Sequence, residues 1–600
     1  MSGFRTLNDL FLAAIERDLP RVMLFRDSSG WRDVSSRDLY QRVLRTARAL
    51  ESWGIGKGER VAILSENRPE WAITDFACLA SGIVDVPIYA TLTAEQTAFI
   101  LKDSGARVIF LSTIEQLKKV QQIRHETQIE KIVVMDQTGE ADVLHMSTIM
   151  HEGVTASPAQ WRDAAFDAQL NAITPDDLAT IIYTSGTTGT SKGVMLTQGN
   201  VASNLTYSVE AFRWSPDKLL ISFLPLSHIT ARHLDYACFQ YGVTLAYCPQ
   251  FDMLPKMLQE IQPHIFVAVP RVYEKVRQEV QRKTSSGLKR ALFAWALRTG
   301  REHRNEILAG QSPKSPKWKL ADRLVFSKIR DAFGGRVMVF ISGGAPLGLD
   351  LGQWYADAGI RIFEGYGLTE TSPVIALNNL RDYKLGTVGK PLPNVECRIA
   401  PDGELLVRGP SIFKRYWQNP AESEKAFEGE WFKTGDIGEI EADGFLKITD
   451  RKKDLLKTSG GKFIAPQPIE NRLKDNVLIA YAAVIGDRRK FASVIIVPHF
   501  PMLEDWAQVN QVPFNSRQEL IQHSKVRALY EGMVNEVNKE LAQFERLKKL
   551  LIVPDEFSIA TGEITPTLKL KRRVVEAKYK EQIDALYAEG SPIPESAIVS

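Results

Sequence analysis

The 600-residue sequence contains only four cysteines, Cys78, Cys238, Cys248 and Cys397. They are widely spaced and form no Cys-x-x-Cys pair, which argues against a cysteine zinc site and favours free thiols in a reducing compartment. The nine histidines form no His-Glu-x-x-His motif, and no uncharged apolar run approaches the roughly 20 residues that cross a bilayer. The first twenty residues mix acids with bases, unlike a secretory signal. We therefore expect a cytoplasmic protein, with peripheral contact at the inner face of a membrane as an alternative.

The sequence also has almost no net charge. Its 75 Lys and Arg residues face 72 Asp and Glu residues, so the overall charge of +3 gives no reason to expect nucleic acid as a partner. Residues 282–330 are the exception, with thirteen Lys or Arg and three acids. Within them, a helical pattern places Leu288, Leu292 and Trp295 on one face with cations opposite. Such a helix either docks on its own domain, which is the commoner case, or lies on an anionic membrane.

The length and the pattern of apolar runs predict more than one domain. Strand-like runs such as "RVAIL", "ARVIFL", "ATIIYT", "HIFVAV" and "RVMVFI" alternate with helical patterns, which is typical of parallel sheets covered by helices. After about Pro391, short runs with Asp-Gly turns indicate a β-rich subdomain. We therefore predict a large α/β N-terminal domain (1–449), a hinge at residue 450, and a smaller mobile α+β C-terminal domain (451–600).

The stretch "YTSGTTGTSKG", residues 183–193, is rich in glycine and hydroxyl side chains and ends near one cation, Lys192. Glycine lets backbone N–H groups converge on an anion, and Ser and Thr hydroxyls add donors. The stretch is neither a Walker A loop, because Gly193 follows the lysine, nor a GxGxxG loop. It follows a strand-like run and precedes a helix-like one, and this strand–loop–helix context disfavours the alternative of a flexible linker. The pattern predicts a phosphate-binding loop.

Five further segments follow in order: "SGGAPL", "EGYGLTE", "TGD", "DRKKDLLKTSGG" and "TPTLKLKR". Together with the loop they resemble the signatures of the adenylate-forming (ANL) superfamily. Within it, "LPLSHITARH", "VPRVYEKV" and a long insert before "SGGAP" resemble long-chain fatty acyl-CoA synthetases, including the bubblegum-like branch. The resemblance implies ATP-dependent activation of a long-chain fatty acid to acyl-AMP, with pyrophosphate release and then transfer to coenzyme A. It implies ATP, Mg²⁺ and coenzyme A as cofactors and fatty acid as the partner.

The resemblance assigns most site residues to the nucleotide. The loop would hold the β- and γ-phosphates, the glycine segments and Tyr366 the adenine, Thr369 the α-phosphate, and Asp436 with Arg451 the ribose. Mg²⁺ prefers oxygen ligands, and the resemblance gives it Thr184 and Glu370. The complete implied nucleotide-binding set is Thr184, Ser185, Gly186, Thr187, Thr188, Gly189, Lys192, Gly343, Gly344, Ala345, Gly365, Tyr366, Gly367, Thr369, Asp436 and Arg451.

The resemblance also implies catalytic and substrate residues. Lys569 would neutralise charge during adenylation, and Lys457 would face the site during thioester formation, alongside Glu370 and Thr184. The family usually has glycine just before this C-terminal lysine. Here Leu568 takes its place, which leaves Lys571 as a rival. His228 would edge the acyl tunnel, and Arg232 stands where some long-chain members place tryptophan, so its cation is expected to meet an acid or a lipid phosphate.

Two other functions remain open at this stage. A fatty acyl-AMP ligase would share the adenylation motifs but deliver its product to a carrier protein, and a membrane-associated fatty-acid uptake or binding protein would need no catalysis. The sequence does not fix the acyl chain length or the oligomeric state, for which a homodimer is one expectation.

Overall fold

The computed structural model describes residues 3–140, 142–151, 161–184, 191–452, 454–459, 462–565 and 570–588. Its strands are β1 Met23–Asp27, β2 Gly30–Val34, β3 Arg60–Leu64, β4 Val84–Ile88, β5 Val108–Leu111, β6 Lys131–Val134, β7 Leu144–His145, β8 Leu178–Thr184, β9 Lys192–Thr197, β10 Leu219–Ser222, β11 Thr244–Tyr247, β12 Ile265–Ala268, β13 Val339–Ser342, β14 Ile362–Gly367, β15 Val374–Leu377, β16 Lys390–Pro391, β17 Glu396–Ile399, β18 Glu404–Arg408, β19 Phe427–Glu428, β20 Trp431–Ile440, β21 Leu446–Arg451, β22 Leu456–Lys457, β23 Phe463–Ile464, β24 Ile479–Ile485, β25 Ala492–Pro498 and β26 Leu547–Ile552.

The α-helices are α1 Leu7–Glu16, α2 Ser36–Ser52, α3 Pro69–Ala80, α4 Ala94–Ser104, α5 Ile114–Ile123, α6 Met146–His151, α7 Ala164–Ala172, α8 Gln198–Ser208, α9 Ile229–Tyr241, α10 Leu254–Ile261, α11 Pro270–Lys283, α12 Gly287–Glu302, α13 Arg304–Leu308, α14 Pro316–Ala321, α15 Ser327–Asp331, α16 Leu349–Asp357, α17 Pro420–Lys425, α18 Pro466–Lys474, α19 Phe500–Val509, α20 Arg517–Gln522, α21 Ser524–Glu540, α22 Arg572–Lys578 and α23 Lys580–Ala588. Short 3₁₀ turns, including Thr369–Thr371, and a π-helical turn, Asp322–Phe326, complete the described elements.

Two large sheets form the N-terminal part. One has the order β7-β6-β5-β3-β4-β8-β9 and the other β16-β15-β14-β13-β12-β10-β11-β1-β2. Their central strands are parallel, and antiparallel pairs occur at the edges. The central strands are buried, as in β5 and β12, which is why their sequences are continuous apolar runs rather than alternating ones. The prediction of helix-covered parallel sheets is confirmed.

The C-terminal part is smaller and has its own sheet, β24-β25-β26. A separate set of buried apolar side chains, from Leu456 to Leu550, packs between this sheet and its helices. The β-rich subdomain, which precedes the C-terminal part in the chain, forms a further sheet, β17-β18-β20-β19, to which β21 adds by pairing with β20. Strand β21 ends with Asp450 and Arg451, so the predicted hinge residue lies within a paired strand.

The predicted strand–loop–helix pattern lacks one strand. Lys192–Thr197 forms β9 between the loop and the helix, and it pairs antiparallel with β8, which places Thr184 opposite Lys192. Val194 and Leu196 are fully buried, and this burial favours a strand over Lys192–Thr197. Helix α8 begins only afterwards, with Thr197 as its N-terminal cap.

The basic segment 282–330 forms α12, α13, α14, the π-helical turn and α15. In α12, Phe293 and Ala296 face the core, Leu292 and Trp295 are partly buried, and Leu288 is 87% exposed. Among the described residues, no helix is both long enough and apolar enough to span a bilayer.

Candidate active site

The glycine-rich segments lie where neighbouring parallel strands end. Gly343 follows β13 directly, and Gly365 and Gly367 lie in the last residues of β14, which pairs with β13. Gly344 has φ of +81°, a left-handed conformation that favours glycine. A Cβ atom on Gly367 would lie only 1.8 Å from the carbonyl oxygen of Pro373, so no other residue fits there. Ligands bind at this edge of open α/β sheets.

Three of the predicted nucleotide residues come together from three different strands. The Tyr366 hydroxyl of β14 donates to Asp436 Oδ2 at 2.6 Å, and Arg451 Nε of β21 lies 3.1 Å from Asp436 Oδ1. The Asp436 side chain is only 3% exposed, and its charge raises the pKa of the Arg451 guanidinium. The two carboxylate oxygens are therefore held at a fixed position between β14 and β21, next to the predicted hinge.

The residues predicted to contact phosphate and metal also converge. Thr184 and Lys192 face each other across the β8–β9 pair, at the two ends of the loop. The Lys192 ammonium pairs with Glu422 and lies 5.4 Å from the centroid of the Tyr416 ring. The Tyr416 hydroxyl donates to Glu370 Oε1 at 2.9 Å. A single tyrosine thus connects the loop's cation to the predicted metal-binding carboxylate.

Glu364, two residues before Tyr366, adds a further titratable group to this edge. Burial raises the pKa of Glu364 to about 7, and its Oε1 accepts a hydrogen bond from the Leu347 N–H at 3.0 Å. Thr369 begins the following 3₁₀ turn and is buried.

Other predicted residues lie apart from this group or outside the described part. Ser185, Gly186, Thr187, Thr188, Gly189 and Lys569 lie outside the described residues. Lys457 is exposed in β22, where its N–H donates to Asp487 Oδ1 and its ammonium lies 5.5 Å from the Phe463 ring. His228 caps α9, and its Nδ1 accepts from the Thr230 N–H at 3.1 Å.

Arg232 lies in a buried polar cluster. Its guanidinium is 1% exposed and contacts Asp75 at 2.6 Å and Asp85 at 3.0 Å, with Thr180 and Tyr236 as further partners. Burial raises the pKa of Asp75 to about 8, so this aspartate favours its neutral form beside the Arg232–Asp85 pair. The assignment of Arg232 to a substrate stays a prediction, and these contacts argue against it because the cation is already neutralised inside the core.

Sequence reasoning missed Tyr416 and Glu422. Both follow the apolar residues of β18, Tyr416 before and Glu422 within the short helix α17, and no periodic pattern in "SIFKRYWQNPAESEK" singles them out. Their role emerges only from contacts with Lys192 and Glu370, which are distant in the sequence. The local feature that points to them as site residues is the number of aromatic and acidic residues after β18, and this feature is a weak indication.

The described side chains fit a magnesium ion that arrives with a nucleotide. No group of three or more His, Cys, Asp or Glu side chains in the described part of the chain resembles a self-sufficient metal site. Mg²⁺ in nucleotide enzymes is commonly held by one or two carboxylates together with the substrate phosphates. Glu370 supplies such a carboxylate, with one oxygen already hydrogen-bonded by Tyr416.

The fold and these contacts define a two-part α/β protein whose strand ends gather hydroxyls, a carboxylate and a cation. A family model described as AMP-binding enzyme matches residues 13–417, and one described as AMP-binding enzyme C-terminal domain matches residues 453–591. The chain therefore belongs to the AMP-binding enzyme family, and the resemblance to adenylate-forming enzymes is confirmed.

Known relatives cover nearly the whole chain. A long-chain-fatty-acid–CoA ligase of Mycobacterium bovis is 39% identical over 95% of this chain and 95% of its own length. The human long-chain-fatty-acid–CoA ligase ACSBG1 is 30% identical over 97% of this chain and 85% of its own. Among solved structures, the adenylation domain of a Mycobacterium chelonae carboxylate reductase aligns with a TM-score of 0.75 at 23% identity, covering 98% of this chain and 92% of that domain. At that identity, the structural match supports the fold alone.

Proposed function

We propose that this protein is an AMP-forming long-chain fatty acid–CoA ligase. The observation that carries the proposal is the convergence of segments distant in the sequence. Lys192 and Glu370 meet through Tyr416, and Tyr366 and Arg451 meet at Asp436. Relatives named as long-chain-fatty-acid–CoA ligases, similar along nearly the whole chain, supply the substrate class.

In the first half-reaction, a fatty acid carboxylate attacks the α-phosphorus of ATP, forming acyl-AMP and releasing pyrophosphate. The β8–β9 loop and Lys192 bind the terminal phosphates, while Asp436 and Arg451 hold the ribose. Mg²⁺, when bound, shields phosphate charge, and Glu370 with Thr184 would hold it. Lys569 stabilises the negative charge that gathers as the carboxylate approaches the phosphate.

In the second half-reaction, the thiol of coenzyme A attacks the acyl carbonyl and AMP leaves. We propose that residues 451–600 form a mobile lid on domain 1–449 and pivot at Asp450 between the two steps, bringing the face that contains Lys457 to the site. One observation supports a pivot at Asp450. Its Oδ2 accepts from the Gln467 N–H of α18 at 3.3 Å, so this residue of β21 contacts both parts.

Purified protein supplied with ATP, Mg²⁺ and fatty acids of about 6 to 20 carbons, together with either coenzyme A or a thiol-bearing carrier protein, tests the proposal. Pyrophosphate release and acyl-CoA formation that are greatest with long chains are the expected result. Pyrophosphate release without acyl-CoA, but with acylation of a carrier protein, would favour a fatty acyl-AMP ligase. Binding of fatty acid with neither product would favour an uptake or binding protein and would overturn the ligase assignment.

We further propose that the surface of 282–330 contacts an anionic lipid bilayer. Leu288, Leu320 and Leu324 are 87%, 50% and 37% exposed on α12, α14 and the π-helical turn, which pack on one another. Within the described part of the chain, no ion pair is formed by seven cations of this segment: Lys289, Arg290, Arg298, Lys314, Lys319, Arg323 and Lys328. Protruding leucines among unpaired cations complement anionic headgroups over an apolar interior.

Sedimentation with phosphatidylglycerol vesicles and phosphatidylcholine vesicles tests this contact. Wild-type protein should bind the anionic vesicles selectively. Leu288→Glu combined with Leu320→Glu should reduce the bound fraction by about fivefold or more, because each change places an acid at the lipid surface. Val509→Glu is the matched control, since Val509 is 82% exposed on the C-terminal part. Equal binding by the wild type, the double variant and Val509→Glu would exclude this surface as the lipid contact.

A further inference from the structure

A short strap, defined here as residues 413–417, lies between the predicted phosphate loop and the predicted metal ligand. At one end, the Phe413 N–H donates to the Glu370 carbonyl oxygen at 2.8 Å. At the other end, the Trp417 N–H donates to the Gly193 carbonyl oxygen at 2.7 Å, next to Lys192. The main chain of the strap is therefore fixed to both elements at once.

Tyr416 is the one strap residue whose side chain contacts both predicted functional groups. Its hydroxyl donates to Glu370 Oε1 at 2.9 Å, and the Lys192 ammonium lies 5.4 Å from its ring centroid. A tyrosine hydroxyl is protonated near pH 7, so it is available as the donor in this hydrogen bond. A hydrogen bond to a charged acceptor is stronger than one between neutral groups.

We propose that Tyr416 is a positioning residue, which holds Oε1 of Glu370 so that the carboxylate meets the nucleotide-bound metal in one orientation. The inference rests on the proposed function. A free glutamate side chain loses considerable rotamer freedom when it is fixed in one geometry. A partner that fixes it beforehand removes part of that cost from metal binding, which is the general benefit of preorganisation.

The packing of the Tyr416 ring does not require the hydroxyl. The ring contacts Phe413 at a centroid distance of 4.8 Å, an arrangement that a phenylalanine would keep, together with the ring's contact to Lys192. Among the described residues, the hydroxyl donates its hydrogen bond to Glu370. Tyr416→Phe therefore separates the positioning role from a packing role.

Mn²⁺ binding in the presence of a non-hydrolysable ATP analogue, measured by electron paramagnetic resonance, tests the inference without turnover. Tyr416→Phe should weaken Mn²⁺ binding by about threefold to tenfold. In the steady state it should raise the KM for Mg²⁺ by a similar factor, and saturating Mg²⁺ should restore most of kcat. Tyr40→Phe is the control. It removes a tyrosine–aspartate hydrogen bond (2.9 Å to Asp167) and two hydrogen bonds to the Asp163 backbone (3.1 and 3.0 Å), and none of these involves a predicted site residue.

The outcomes are distinguishable. Unchanged Mn²⁺ affinity in Tyr416→Phe, with a loss of thermal stability like that of Tyr40→Phe, would assign Tyr416 to packing and overturn the inference. A fall in kcat that saturating Mg²⁺ does not restore, without weaker metal binding, would overturn it as well. Failure of the wild-type protein to bind Mn²⁺ with the nucleotide analogue would instead overturn the proposed function, and this inference with it.

Discussion

Lys192 and Glu422 form an ion pair at the end of the predicted phosphate loop, with side chains that are 16% and 31% exposed. The hydrogen bond from Lys192 lowers the pKa of Glu422 to about 2, so this carboxylate is ionised throughout the neutral range. An ATP phosphate that binds Lys192 must compete with this carboxylate for the same ammonium. Glu422 is therefore expected to act as an exchangeable counterion, present before the nucleotide binds.

Glu422→Gln should strengthen ATP binding by about twofold to fivefold, because it removes the competing charge and partly exposed ion pairs contribute at most about 1 kcal/mol. Calorimetric titration with a non-hydrolysable ATP analogue measures the effect. Glu430→Gln serves as the control, since Glu430 is 80% exposed and pairs with Arg408. Weaker binding by Glu422→Gln would mean that Glu422 orients Lys192 rather than competing for it.

At the scale of secondary-structure elements, the cluster around Arg232 joins the two large sheets. Asp75 lies on α3 and Asp85 on β4 of the seven-stranded sheet, whereas Arg232 lies on α9, which connects β10 to β11 of the nine-stranded sheet. The same guanidinium contacts both buried carboxylates. Removing one partner of a buried ion pair is far more costly than removing an exposed one, because the remaining charge is left without compensation.

Arg232→Met should lower the free energy of unfolding of the N-terminal part by about 3–5 kcal/mol. Denaturant titration measures this change, and Lys218→Met, which removes a partly exposed pair with Asp217, should have little effect. The same variants separate the two roles considered for Arg232. Unchanged stability with a roughly tenfold higher KM for fatty acid would support contact with the substrate carboxylate instead.

The elements differ in how far the sequence predicts them. Apolar runs such as β3, β8 and β13 were predictable, because burial on both faces of a parallel sheet requires continuous apolar residues. Strand β9 was missed, because a short run beside a glycine-rich loop fits either a strand or the approach to a helix.

The site was predictable only in part, for a related reason. The glycine, threonine and acidic motifs stand out as local patterns, whereas Tyr416 is 46 residues from Glu370 and Arg232 is 157 from Asp75. Such partners are brought together by tertiary packing alone, and no spacing in the sequence indicates them.

At the scale of the whole molecule, contacts between ionisable side chains connect the N-terminal part to the C-terminal part. Arg277 of α11 contacts Asp475 at 3.5 Å, Lys474 of α18 lies 3.6 Å from Glu274, and Arg472 pairs with Asp350. Burial and the neighbouring Asp350 raise the pKa of Asp475 from 3.8 to about 7. Docking of the two parts therefore favours a protonated Asp475.

Because the docked pKa of Asp475 is raised, docking should weaken as pH increases from about 4 to 7 and change little above that range. Asp475→Asn should remove most of this dependence and leave docking at pH 8 tighter than in the wild type. Each pKa unit corresponds to about a tenfold change in the docking equilibrium. Distances between spin labels placed on the two parts measure how that equilibrium changes with pH. A smaller dependence should persist through Asp450, whose pKa is about 6.

The control is Glu536→Gln, which removes an exposed pair with Lys539. An Asp475→Asn profile identical to the wild-type profile would show that these contacts do not govern the arrangement of the two parts.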